Sequence, residues 1–324
     1  MLQPFRLKAV CKDYLWGGRR LRDLWGKGSG LDVVAESWEL SAHPAGDGTI
    51  ADGPRLGQPF SAFVSDHPEA VSDRQKRDDP FPLLVKLIDA AKPLSIQVHP
   101  DDDYAARVEG GSGKTELWYV IDCDPGAFLY LGFERQTPRE EMERRMRDGT
   151  LVEILHREQV QPGECFFIPA GTVHAIGAGI LIAEVQQNSD LTYRVDDYGR
   201  RDFSGRLREL HLDKAIDVSR PVPADREAPG ARGAVSVPGG TLQVLAETPF
   251  FRVGLLELSG VWRCVADETS FLSLLCLGGA AEFVSDSGVS SLKALRGSSI
   301  FVPATTGPFS LSGQGKFLIS SLGR

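Results

Sequence analysis

Leu94-Ser95-Ile96-Gln97-Val98-His99-Pro100-Asp101-Asp102 alternates apolar and polar side chains and then stops at a proline. In an extended segment successive side chains leave opposite faces. Gln97 and His99 therefore share one face, and Ile96 and Val98 share the other. An apolar pair packed outward behind an inward polar pair is how a barrel wall holds an interior site. A surface strand with its polar side in water stays open on this stretch alone.

Lys114-Thr-Glu116-Leu-Trp-Tyr-Val120 repeats the logic. Lys114 and Glu116 share a face, and the apolar run carries the strand into a core. A carboxylate at that entrance needs a partner, because an unpaired buried charge is costly. A salt bridge between the two is the plain alternative. In Phe166-Phe-Ile-Pro169-Ala-Gly-Thr-Val-His174-Ala, a proline turn reverses the chain and delivers His174 at the start of a new strand.

Together Gln97, His99, Glu116 and His174 supply two imidazoles, a carboxylate and an amide oxygen. Such donors without thiolate suit Zn²⁺ and also accommodate Fe²⁺ or Mn²⁺. Further on, Ile180–Gln186 places Glu184 and Gln186 on one face, opposite Leu181, Ala183 and Val185. The polar loop after it carries Asp190, Thr192 and Arg194. No apolar core requires Glu184, Asp190 and Arg194, although surface ion pairs would also explain them. In Glu36-Ser-Trp38-Glu39-Leu-Ser-Ala-His43 the acids and the histidine are read as structural, and Gly26-Lys-Gly-Ser-Gly30 as a loop.

Outward from these motifs, short apolar runs recur between turn signals: Phe81–Ile88, Leu94–Val98, Leu117–Ile121, Ala127–Leu131, Cys165–Ile168, Ile180–Val185, Phe271–Cys276 and Ser299–Val302. Many short, closely spaced strands predict a mainly β sandwich or barrel with few helices. Helices are expected over Gln58–Val71, after Pro100 (where Asp101–Asp103 favour a helix start) and over Thr137–Asp148. The last has Thr137 and Glu140 as a capping box and Pro138 at its first position, and continues past Gly149 through Leu151–Arg157.

Pro221–Gly233 has linker composition. It divides a domain of residues 1–220 from a β domain of residues 234–324 that contains no histidine. Gly163–Gly171 can be laid on Gly297–Thr305, with Pro169 on Pro303 and His174 opposite Pro308, as if one barrel had been copied and only the first kept polar equipment.

The 42% hydrophobic and 25% charged fractions of the 324 residues exclude a disordered chain. The net charge of −8 disfavours nucleic acid as a partner. No apolar run is long enough for a membrane helix, and no signal peptide or obligate protein partner is evident. Five scattered cysteines without a CxxC pair fit a cytoplasmic location.

Four ordered motifs, Leu94–Asp102, Gly113–Tyr119, Ile168–Ala175 and Glu184–Tyr198, resemble those of type I mannose-6-phosphate isomerases of the short bacterial form. Glu36–Pro44, Pro82–Lys86 and Arg208-Glu-Leu-His211 support the likeness. The resemblance covers most of residues 1–215. It implies a cupin, a jelly-roll β-barrel, with a second, ligand-less cupin-like barrel after the linker. It implies one Zn²⁺ per chain, held by Gln97, His99, Glu116 and His174. It further implies interconversion of mannose 6-phosphate and fructose 6-phosphate, with Ser95, Lys86, Lys114, Glu184, Asp190 and Arg194 around the sugar.

Aldose–ketose interconversion moves a proton through an enediol. Arg194, which keeps its proton, suits charge stabilisation. Glu184, Asp190 or Lys114 suits the proton transfer, and Lys86, Ser95 and Arg200 or Arg201 suit the phosphate. Two other readings compete: another metal cupin enzyme on a sugar phosphate (or a non-haem iron oxygenase), and a non-catalytic sugar-binding cupin.

Overall fold

The computed structural model describes residues 2–201, 204–225, 227–286 and 291–323, and every structural statement below concerns these. Two antiparallel sheets form the N-terminal barrel. One runs in the order Cys165–Ile168, Glu116–Cys123, Ile180–Gln187, Leu83–Ala90, Glu36–Leu40, Val10–Lys12. The other runs Leu155–Gln159, Phe128–Phe133, His174–Ile176, Ile96–Val98, Tyr193–Asp196. Ile88, Trp118, Val120 and Ile182 of the first pack with Leu129, Leu131 and Ile176 of the second in one buried cluster. Each such aliphatic side chain contributes roughly 1.5–3 kcal/mol on leaving water.

Alternation on Ile96–Val98 is realised. Ile96 and Val98 are fully buried outside the barrel wall, clustered with Met142, Met146, Ala215 and Ile216 of two covering helices, Arg139–Asp148 and Leu212–Val218. Gln97 faces inward. The same parity puts Leu181, Ala183 and Val185 in a second cluster behind the other sheet.

Of the expected helices, Phe60–Asp66 and Asp102–Val108 form, the latter capped by Asp101, which accepts the Tyr104 N–H. Arg139–Asp148 ends at Gly149 in the left-handed region, as glycine permits. Its start differs from expectation. Pro138 is the N-cap and no side chain caps the helix. Thr137 is buried and donates its hydroxyl to the Arg135 carbonyl instead. Past Gly149 a 3₁₀ turn, Leu151–Ile154, gives way to strand Leu155–Gln159, because Leu155 joins the core and the segment pairs with Phe128–Phe133.

The C-terminal residues build a long antiparallel sheet around Phe251–Ala266, Gly307–Leu322 and Leu272–Ser285. The start of the chain belongs to it: Phe5–Lys8 pairs with Ser299–Val302, Phe5 opposite Phe301. Phe5, Phe60, Phe63, Phe81, Phe271 and Phe301 form a continuous aromatic cluster across both halves. Segment 221–233, of which Arg226 lies outside the described residues, touches both halves. Thr137 N–H donates to the Pro221 carbonyl and Glu247 N–H to that of Pro229.

The internal repeat has a geometric counterpart. Cys165–Ile168 and Ser299–Val302 both run into a proline turn, closed by Thr172 N–H to Pro169 O (3.1 Å) and Thr306 N–H to Pro303 O (3.2 Å). Gly171 and its counterpart Thr305 both have positive φ, 87° and 67°. A β-branched residue tolerates that region poorly.

Among the described residues no helix is long and apolar enough to cross a membrane. Phe301→Ala removes the ring on which both halves of the aromatic cluster converge. It should lower unfolding free energy by about 3–5 kcal/mol in urea denaturation. A loss below about 1 kcal/mol would mean that the two halves do not share this core.

Candidate active site

The sheets bring three buried donors together. His99 follows Ile96–Val98, His174 opens its strand opposite Gln97, and Glu116 opens the strand opposite Gln186. Their donor atoms lie within 4.8 Å of one another. His99 Nδ1 donates to the Leu191 carbonyl (2.7 Å) and His174 Nδ1 to that of Thr172 (2.8 Å). A carbonyl only accepts, so each ring keeps its proton on Nδ1 and presents the Nε2 lone pair inward.

Those lone pairs face Glu116, at 3.2 Å from His99 and 3.8 Å from His174. Burial pushes both imidazole pKa values down, to about 4 for His99, where Lys114 adds to the effect. Burial pushes Glu116 the other way, but Lys114 and His99 override it and hold the carboxyl well below its usual range. Two neutral imidazoles and a carboxylate, all acceptors, thus point at one another at buried positions. Neither Glu116 oxygen accepts a hydrogen bond of regular geometry. This donor set fits a divalent cation of the zinc type.

Gln97 stands beside the trio, its amide nitrogen 3.4 Å from His174 Nε2 and its oxygen accepting from Ser95 Oγ at 3.3 Å. A half-turn about the terminal bond would present the oxygen instead. Lys114 Nζ contacts His99 Nε2 (3.2 Å) and pairs with Glu116, so the salt bridge expected as an alternative coexists with the cluster.

In front of the trio lies a cavity of about 310 Å³. Its lining includes all six of the residues expected around a sugar: Lys86, Ser95, Lys114, Glu184, Asp190 and Arg194. Lys86 and Glu184 are cross-strand neighbours, 3.2 Å apart, and Trp118 Nε1 donates to the other Glu184 oxygen. Burial alone would lower the Lys86 pKa, but Glu184 and Glu36 raise it above the ordinary lysine value. Arg194 donates from Nη1 to the Glu209 carbonyl, while its buried Nε has no partner.

Arg200 and Arg201 do not line the cavity. Arg200 donates to the Pro93 carbonyl and pairs with the buried Asp197, and Arg201 donates to the Gly205 carbonyl. Arg208 instead joins Arg194 in the lining, 3.2 Å from the same Asp197.

The structural reading of Glu36–His43 holds for Glu39, buried against Lys27 at 2.7 Å, and that lysine also ties the glycine loop to the Gly297 carbonyl. Glu36 lines the cavity 3.8 Å from Lys86, and His43 Nε2 stands 3.6 Å from Asp190. Tyr14 and Trp16 also line it and carried no signal in the sequence.

A jelly-roll barrel with nitrogen and oxygen donors converging on its inner wall defines a metal-site cupin. Residues 4–116 match the catalytic domain of type I phosphomannose isomerases, and residues 241–322 match the cupin domain of mannose-6-phosphate isomerases. The chain belongs to the type I phosphomannose isomerase family.

It is 38% identical to the probable mannose-6-phosphate isomerase GmuF of Bacillus subtilis over 99% of both chains. It is 39% identical to the mannose-6-phosphate isomerase of Streptococcus mutans over 80% of each. The crystal structure of the mannose 6-phosphate isomerase from Bacillus subtilis superposes with a TM-score of 0.91 at 34% identity, covering 98% of this chain and 99% of that one. A zinc-bound mannose 6-phosphate isomerase, 18% identical, shares the fold with a TM-score of 0.78 over the whole of both chains.

The Lys86 cluster generates a stability prediction. Lys86→Met leaves Glu184 and Glu36 facing each other without their cation, and should cost about 3–5 kcal/mol. Adding Glu184→Gln should recover part of that loss in the same denaturation measurement. A single mutant as stable as the parent would show the pair to be solvated.

Proposed function

We propose that this chain is a metal-dependent aldose–ketose isomerase interconverting D-mannose 6-phosphate and D-fructose 6-phosphate, with one Zn²⁺ per chain held by Gln97, His99, Glu116 and His174. The observation that carries this reading is the buried convergence of His99, Glu116 and His174 on one point behind a cationic cavity. In a chain of net charge −8, that cavity wall holds four cationic side chains (Lys86, Lys114, Arg194, Arg208) against three carboxylates (Glu36, Glu184, Asp190). A sugar phosphate is the kind of anion such a wall admits.

A divalent metal bound there supplies Lewis-acid polarisation and orientation of sugar oxygens. The protein's own side chains do the rest. Lys86, Ser95 and Arg208 bind the substrate, the lysine kept cationic by its two carboxylates. Proton transfer between neighbouring carbons falls to Glu184, Asp190 or Lys114, each of which lines the cavity. Arg194, whose side chain lines the cavity, stabilises the negative charge that develops on oxygen. Trp118 holds Glu184 in place through its indole N–H.

Residues 1–220 are assigned as the catalytic cupin and 234–324 as a ligand-less cupin-like domain across the 221–233 linker. In support, every donor named above lies in the first part, while Trp262, Phe283, Phe309 and Phe317 fill the interior of the second. A cytoplasmic location is supported by five cysteines that are all unpaired.

The test is a coupled assay with mannose 6-phosphate, run before and after chelation and after zinc restoration. Activity should vanish with the chelator and return with zinc, and Glu116→Ala should lose zinc and turnover together. A metal-free protein at full rate, or saturable binding without turnover, contradicts the reading.

A further inference from the structure

Arg208-Glu209-Leu210-His211 is one of the motifs behind the family resemblance, and of its residues Arg208 lines the cavity. We infer that His211 is a positioning residue for Arg194, an inference that rests on the role proposed for Arg194 above. The Arg194 N–H donates to His211 Nδ1 (3.1 Å), and the His211 N–H donates back to the Arg194 carbonyl (2.8 Å). From two residues earlier, the Glu209 carbonyl accepts from Arg194 Nη1 at 2.7 Å. One short segment therefore grips the arginine at both backbone groups and at one end of its guanidinium. The buried Nε is left without a protein partner.

The bracket has a rigid mount. His211 is the N-cap of helix Leu212–Val218, whose Ala215 and Ile216 are buried under the barrel wall with Ile96, Val98 and Val195. The Ala215 N–H returns to the His211 carbonyl at 2.9 Å. Packing of the helix thereby fixes the imidazole, and the imidazole fixes the strand position from which Arg194 enters the cavity. Because Nδ1 accepts, the ring proton sits on Nε2. An asparagine places its Oδ1 where the histidine places Nδ1, so it can take the same N–H. Alanine cannot.

The experiment compares Arg194→Ala, His211→Ala, His211→Asn and the double alanine variant, with kcat, KM, bound zinc and Tm measured for each. Arg194→Ala should lower kcat about 10²-fold. His211→Ala should lower it about tenfold through misplacement, with zinc content and Tm close to the parent. His211→Asn should come back to within about twofold of the parent. In the Arg194→Ala background, His211→Ala should add less than about twofold, because it acts through the missing side chain.

An unchanged kcat in His211→Ala while Arg194→Ala is impaired overturns this inference alone. So does a full additional loss in the double variant, or a His211→Asn variant as slow as the alanine. An unimpaired Arg194→Ala removes the role proposed for Arg194, and the bracket with it.

Discussion

A buried carboxylate facing two imidazole lone pairs demands positive charge, which Lys114 supplies from one side and a divalent cation would supply between the three. That constraint organises the protein. Glu116 and His174 open strands of two facing sheets, His99 follows directly after a third strand, and each is fully or almost fully buried. The carbonyls of Leu191 and Thr172 hold both imidazoles in the tautomer that points lone pairs at the carboxylate. The Leu191 contact also joins the metal-type cluster to the loop that carries Asp190, so cluster and cavity form one construction.

Charge is then distributed in pairs rather than left loose. Lys86 sits between Glu184 and Glu36, Lys114 beside Glu116, and His43 beside Asp190. Arg194, Arg200 and Arg208 gather around a single buried Asp197, which leaves that end of the cavity the more positive. The nonpolar machinery serves the same end. Helices outside the wall press Ile96 and Val98 inward and fix the register of Gln97, while the aromatic cluster around Phe301 locks the two halves of the chain together.

Strand parity made most of this legible in the sequence. Gln97 against Ile96 and Val98, and Glu184 against Leu181, Ala183 and Val185, faced as alternation demands. The same rule applied to Glu36–Leu40 separates Glu36, bonded to Trp38 on the cavity side, from Glu39, bonded to Ser37 and Lys27 on the other. What the sequence lacked was the neighbour, since nothing local says that this strand lies beside Lys86. Tyr14 and Trp16 had no periodic signal at all. Arg200 and Arg208 look alike as residues and both pair with Asp197, yet only Arg208 lines the cavity, while Arg200 also donates to the Pro93 carbonyl. Thr137 failed as a cap because burial gave its hydroxyl another partner, a tertiary demand that a capping box cannot foresee.

X-ray absorption at the zinc edge of the purified protein addresses the shared point most directly. The account predicts two imidazole nitrogens and oxygen ligands at about 2.0–2.2 Å, with no sulfur shell. A thiolate distance of about 2.3 Å, or a shell of water oxygens without imidazole scattering, would contradict it.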